Sequence, residues 1–237
     1  MKVFFLSLAV FSSLTAFANE NFQFSPKVET YFPVFAGGGV QLRAYDSFEW
    51  GLSYGVTPKA YYKVIANAAA HFGDNGSYKE VVEAAFQDNS LWRMNLQYNF
   101  SGKTGWNMGV AGSMLNSNGE AGIDTVLGAS TGRNYTTLKN LLIALGRNPN
   151  VSMESDLTLA ELYAGYTWDL GKSFLGSLTL GVTKVMSADV KVKTGLPNFE
   201  ASAAGSSLLR SSETDLENII EENGYSPEIG VKISYDF

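Results

Sequence analysis

The chain contains one histidine, His71, with Asp74 and Ser77 downstream. A base, an acid to orient it and a hydroxyl nucleophile within one short stretch could support acyl transfer, provided the imidazole reached the serine. The same residues also describe an ordinary helix stop, Gly73-Asp74-Asn75-Gly76, followed by a restart at Ser77. No catalytic residue is therefore assigned, and His71 chemistry is kept as an alternative. With one histidine and no cysteine, a zinc site is not expected. Glu213, Asp215, Glu217, Glu221 and Glu222 could attract a calcium ion, but they lack EF-hand spacing and read as a solvated helix face. No metal and no cofactor is expected. Lys184, Lys191 and Lys193 suit anionic phosphates or a solvated hairpin tip.

The elements that carry these residues alternate with period two. Phe48, Trp50, Leu52, Tyr54 and Val56 oppose Glu49, Gly51, Ser53 and Gly55. Trp92, Met94, Leu96, Tyr98 and Phe100 oppose Arg93, Asn95, Gln97 and Asn99. The pattern returns at Trp106 to Met114, Ala160 to Trp168 and Phe174 to Val182. It recurs at Ile229, Val231, Ile233, Tyr235 and Phe237, which oppose Gly230, Lys232, Ser234 and Asp236. Stretches of about ten alternating residues are what a strand needs to cross a bilayer, where backbone groups must be paired between neighbours of a closed barrel. A soluble β-sandwich alternates too, with its apolar face turned into a core.

The connections separate the two. Those after residues 44, 100 and 170 are short, whereas those after 57, 114 and 186 run to several tens of residues. Short turns at one end and long loops at the other fit the periplasmic and extracellular ends of a membrane barrel. Ten aromatics share apolar parity at the short-turn end: Phe48, Trp50, Tyr98, Phe100, Trp106, Tyr166, Trp168, Phe174, Tyr235 and Phe237. They form one interfacial girdle.

Export is also written in the sequence. Lys2, the apolar run Val3 to Leu14 and Ala16-Phe17-Ala18 predict a signal peptide, residues 1–18, cleaved after Ala18 to leave one barrel domain, 19–237. The 17 basic and 23 acidic residues give −6, which becomes −7 when Lys2 leaves, a balance that disfavours nucleic acid as a partner.

Closure with an even strand count requires a first strand at about Phe22 to Phe32, making eight antiparallel strands with both termini in the periplasm. Alternatively, residues 28–44 form one long strand, because Val28 to Leu42 keep one parity across Pro33, and the count is seven. The strand windows and the final Tyr235-Asp236-Phe237 resemble those of small bacterial outer-membrane barrels of the OmpA and OmpX kind. That resemblance implies the outer membrane of a Gram-negative bacterium, contact with membrane lipid and lipopolysaccharide, and Tyr235 and Phe237 as a signal read by the barrel-assembly machinery. A monomer is expected.

The inward parity collects Arg43, Glu49, Arg93, Glu161, Lys232 and Asp236, with Gln41, Asn95, Gln97, Asn99, Asn107 and Tyr163. Eight strands enclose only enough space for side chains, so these residues predict a packed polar network, with a proton relay or narrow conduit as the other reading. Broad porin-like diffusion needs about sixteen strands.

The loops carry helical patterns. Thr57-Pro58 predicts an N-cap with proline in the first turn, Ser77-x-x-Glu80 a capping box, Leu138, Leu141, Leu142 and Leu145 a helix ending at Gly146, and Thr214-x-x-Glu217 a helix ending at Asn223-Gly224. Their apolar faces either pack together as a cap or leave Val81, Phe86, Leu138, Leu142 and Ile220 to line a site for a small hydrophobic ligand. The leading expectation is a surface protein that binds or passes such a ligand at its cap. A structural or adhesion barrel is second, and a lipid-modifying enzyme using His71 third.

Overall fold

A computed structural model of the chain describes residues 22–69 and 77–237. The export segment with its cleavage site, His71 and Asp74 lie outside the described residues, as does the side chain of Ser77.

Eight strands form one closed antiparallel ring: β1 (Phe22–Phe32), β2 (Phe35–Ala44), β3 (Phe48–Val56), β4 (Asp88–Asn99), β5 (Gly105–Gly122), β6 (Asn150–Gly171), β7 (Phe174–Lys193) and β8 (Tyr225–Tyr235). The ring closes through β1 and β8, from Lys27↔Ser234 to Phe32↔Ile229. One long strand over 28–44 is ruled out, because the chain reverses at Pro33-Val34 and β1 pairs with β2 from Tyr31↔Phe35 to Phe22↔Ala44. Proline has no amide to donate and restricts the residue before it, so an unbroken ladder is disfavoured at that position. Val34, assigned to the outward parity by sequence, turns inside this reversal and is buried.

Three tight turns occupy the opposite end. Tyr45 and Asp46 adopt φ of 51° and 56°, and Lys172 and Ser173 adopt 53° and 66°. Paired left-handed residues give the turn a twist that matches the twist of the flanking strands. At this end the outward aromatics form the expected row, with contacts Phe48–Tyr98, Trp106–Tyr166 and Phe174–Tyr235 at ring separations of 5.1, 5.5 and 5.0 Å. A second cluster, unforeseen, lies toward the other end, where Tyr54 meets Trp92 at 4.8 Å and Phe32 meets Tyr61 at 5.0 Å. Between them Leu52, Met94, Leu96, Met108, Val110, Leu162, Leu178, Leu180, Val231 and Ile233 stay exposed on the outer wall. No described helix is long and apolar enough to cross a membrane.

β5, β6 and β7 continue well past the expected ends at 114, 158 and 186, and as they do their two faces exchange character. Below, Met108, Val110 and Met114 point out; above, Asn116 and Asn118 do, while Leu115 is buried inside. On β6, Leu162 and Tyr166 point out, whereas Val151, Met153, Leu157 and Leu159 point in. β7 makes the same exchange through a register shift opposite Thr158/Leu159, after which Val190 and Val192 face inward. The three strands thus leave the apolar zone as an ordinary sheet with a dry inner face.

The loops form α1 (Lys59–Ala69), α2 (Ser77–Ala85), α3 (Ile123–Thr131), α4 (Thr136–Ala144), α5 (Pro197–Glu200) and α6 (Ala203–Asn223); α2, α3, α4 and α6 cover that face, and α1 packs against α2. Several sequence expectations are corrected. Thr57 does not cap α1, because its hydroxyl donates to the carbonyl of Val34 at 2.7 Å, while the Pro58 carbonyl accepts from Tyr61 and Tyr62. Thr214-x-x-Glu217 lies inside α6, which starts eleven residues earlier with Ser202 accepting from the amide of Gly205 at 3.0 Å. Leu141 and Leu145 face outward from α4 beside Ile143, whereas Leu142 is buried. α3 was not expected; Ile123, Val126 and Leu127 give it a buried apolar face.

Candidate functional site

Inside the barrel, inward parity brings ionisable groups from distant strands together. Arg43 on β2 holds Asp236 at 2.8 Å and Glu49 on β3 at 3.4 Å. Lys232 on β8 also pairs with Glu49, and the Ser25 hydroxyl donates to Asp236 at 2.7 Å. A second cluster lies closer to the cap. Arg93 on β4 donates from Nε to Glu161 on β6 at 2.7 Å, and its Nη1 lies 3.6 Å from Glu29 on β1. Lys27 pairs with Glu29 at 3.0 Å and donates to Asn95 Oδ1 at 2.8 Å. The Arg93 guanidinium lies 3.8 Å from the centre of the Tyr31 ring and 5.5 Å from that of Tyr163, a cation–π arrangement strengthened by desolvation.

All six ionisable residues singled out from sequence are buried here, four in the first cluster and Arg93 with Glu161 in the second. Sequence reading misses Lys27, Glu29 and Tyr31, because the residues from 22 to 44 fit either two strands or one long one; once β1 is placed, their odd positions share the inward parity of Ser25. Glu228, whose Oε2 accepts from the Thr183 hydroxyl at 2.6 Å, was also missed. Four cations, Lys27, Arg43, Arg93 and Lys232, face five carboxylates, Glu29, Glu49, Glu161, Glu228 and Asp236. The lumen therefore nearly neutralises itself and carries no strong field of one sign.

The interior is also tightly filled. A Cβ added at Gly51 would approach Lys27 Nζ to 2.6 Å, and one at Gly109 would approach the Tyr163 hydroxyl to 2.5 Å. Above the ionic clusters an apolar layer crosses the barrel, made of Tyr31, Val34, Phe35, Leu91, Leu115, Leu157, Leu159 and Val185. Charged groups would have to be desolvated twice to pass, once within the pairs and again at this layer.

The cap core sits over that layer. Val81 and Leu142 are buried in it, and Phe86, Leu138 and Ile220 pack against it, so one apolar cluster unites the five residues expected to meet a hydrophobic ligand. Phe86 and Ile220 touch the layer below as well. α2 lies close on β5 at Gly119, where a Cβ would collide with the carbonyl of Ala84. A cleft of about 440 Å³ opens beside this contact, lined by polar groups including Lys59, Lys63, Glu80, Glu83 and Glu120 and by none of those five residues.

The lysines read from sequence as a hairpin tip lie on β7 and are engaged as well. Lys191 pairs with Asp189 at 3.3 Å, Lys193 with Glu154 at 2.6 Å, and Lys184 lies 5.0 Å over the Tyr225 ring. Glu200 accepts from the Thr194 hydroxyl at 2.9 Å and from the amides of Thr194 and Gly195 at 2.7 and 3.1 Å. The hydroxyl and the two amides hold its carboxyl below the ordinary glutamate range. Among the described residues no group of three or more histidine, aspartate or glutamate side chains could hold a metal ion.

No family model matches the chain, and no curated protein does. Among solved structures, the N-terminal β-barrel domain of Pseudomonas aeruginosa OprF is 11% identical, over 92% of this chain and 97% of that one, at a TM-score of 0.40. Acinetobacter baumannii CarO2 is 12% identical, over 92% and 100%, at a TM-score of 0.41. A major outer membrane protein from Thermus thermophilus is 11% identical, over 90% and 99%, at a TM-score of 0.41. The chain is structurally similar to outer-membrane β-barrel proteins.

Proposed function

We propose that this chain is a non-conducting barrel of the bacterial outer membrane that carries a helical cap outside the cell and acts through that cap. The observation that carries this reading is the filled lumen: two ionic clusters at membrane depth and an apolar layer above them. A conduit needs space and water at every level, and an eight-stranded ring filled by its own side chains has little of either. The outward apolar wall supports insertion, with its short turns toward the periplasm and the cap toward the exterior. Removal of residues 1–18 on export, recognition of Tyr235 and Phe237 during assembly, contact of the rim lysines with lipopolysaccharide, and a monomeric state belong to the same reading.

The mature chain refolded into planar bilayers tests it. Conductance at the bare-bilayer level is expected, and reproducible steps under an applied potential would overturn the proposal. A second reading, capture of a small hydrophobic ligand at the cap, is favoured by the outward Leu141 and Ile143 on α4 and Leu145 directly after it, behind which Leu138 and Leu142 join the cap core. A fluorescent fatty acid should then bind in competition with unlabelled fatty acid and lose affinity in Leu141→Asn; identical affinity in the variant would remove this reading. Catalysis through His71 is not proposed. Lipase or acyltransferase activity lost in His71→Ala would restore it.

A further inference from the structure

β8 ends against β7 at Tyr225↔Lys184, and the amide of Val185 donates to the carbonyl of Gly224 at 2.7 Å. Beyond that point β7 continues to Lys193 with a strand neighbour, β6, on one side. Its other edge turns the amides of Ala188, Val190 and Val192 outward. An open row of donors of this kind recruits a further strand.

α6 occupies that edge. The amide of Ala188 donates to Glu221 Oε1 at 2.9 Å, that of Val190 to Glu217 Oε1 at 3.0 Å, and that of Val192 to Glu213 Oε1 at 2.8 Å. The match is periodic: alternate strand residues lie about 6.8 Å apart, and every fourth helix residue about 6 Å apart along the axis. The helix runs antiparallel to β7 and presents its glutamates where a strand would present carbonyls. Leu209 and Leu216, buried in the cap core, hold it from the other side.

A carboxylate accepts hydrogen bonds but donates none, so the ladder meets the donors of the edge and leaves its carbonyl groups to other partners. A true strand would meet both. The edge is also self-complementary. Antiparallel pairing of two copies about Val190 places Ala188 opposite Val192 as hydrogen-bonded pairs and Asp189 opposite Lys191, joining opposite charges on the exposed face.

We propose that α6 is a lock on the β7 edge, with Glu213, Glu217 and Glu221 as its bolts, and that a second copy of this chain is the strand it excludes. The test compares the full-length mature protein in detergent with Glu213→Ala/Glu217→Ala/Glu221→Ala and with the corresponding triple Gln variant. Mass is read by analytical ultracentrifugation and edge opening by amide exchange at Ala188, Val190 and Val192. Parent and Gln variant should stay monomeric, since an amide oxygen still accepts. The Ala variant should double in mass, and in its monomer at high dilution the three amides should exchange at least about tenfold faster. Adding Lys191→Asp, which sets like charges opposite one another, should return it to a monomer while the amides stay open. A monomeric Ala variant, unchanged exchange, or a dimer indifferent to Lys191→Asp would each overturn the proposal.

Discussion

Arg93→Met should be the most damaging single change in the lumen. The guanidinium is buried between Tyr31 and Tyr163 and bonds Glu161 at 2.7 Å. Glu29, 3.6 Å from it, would keep Lys27 at 3.0 Å. Glu161 would not be so protected, because its other bond here is to the Ser113 hydroxyl, which neutralises no charge. Breaking a buried pair so that one charge is stranded costs about 3–5 kcal/mol, whereas removing both charges is often close to neutral. Arg93→Met should therefore cost about 4 kcal/mol, and Arg93→Met/Glu161→Gln no more than about 2 kcal/mol, since glutamine still accepts from Ser113. Reversible urea unfolding in phospholipid vesicles gives the values. Trp50, Trp92, Trp106 and Trp168 all face outward, so their fluorescence reports the loss of the lipid environment directly. A single-variant cost under about 1 kcal/mol, or a double variant as damaged as the single one, would refute the claim that Glu161 depends on Arg93.

Two further outcomes follow from contacts outside the lumen. Gly119→Leu should push α2 away from β5, because even a Cβ there meets the Ala84 carbonyl; faster amide exchange across Val81 to Ala85, with the strands of the lower barrel unaffected, is the expected signature. Glu200 supplies a pH dependence. Its carboxyl is held below the ordinary range by the Thr194 hydroxyl and the amides of Thr194 and Gly195. A depressed folded-state value contributes stability above the unfolded value and loses it as pH falls through the folded one. The turn over 194–200 should accordingly loosen below about pH 4, seen as faster exchange at Thr194 and Gly195 after correction for intrinsic rates. In Glu200→Gln the corrected exchange should be independent of pH.

The lower barrel was legible because lipid imposes one rule on every strand. Trp92, Met94, Leu96 and Tyr98 must face out and Arg93, Asn95 and Gln97 must face in, so period two alone placed the six ionic residues. β1 obeys the same rule less visibly. Ser25, Lys27, Glu29 and Tyr31 face inward, but Pro26 and Thr30 dilute the apolar face opposite. Without its register, the partners that complete the Arg93 cluster could not be named. The helical loops were harder still. Glu217 reads as the acidic end of a Thr214-x-x-Glu217 capping box, and only the neighbouring strand edge shows that its carboxylate serves Val190.

The upper parts of β5, β6 and β7 escaped sequence reading for a single reason: the solvent on the outside of the sheet changes. Where lipid gives way to water the preferred arrangement inverts, so an unbroken strand shifts its apolar residues by one position, as from Met114 to Leu115 and from Leu159 to Ala160 and Leu162. A periodicity search takes that slip for the end of a strand. It marks the boundary of the apolar zone instead, and it explains the cap. Once the inner face of the three-stranded extension becomes apolar, it must be covered from within, which α2, α3, α4 and α6 do around Val126, Leu127, Val151, Met153, Val190 and Val192. The helices are therefore required by the strands they cover. Their remaining freedom, the outward face of α4 and the edge contact of α6, is where selection could add function without disturbing the barrel.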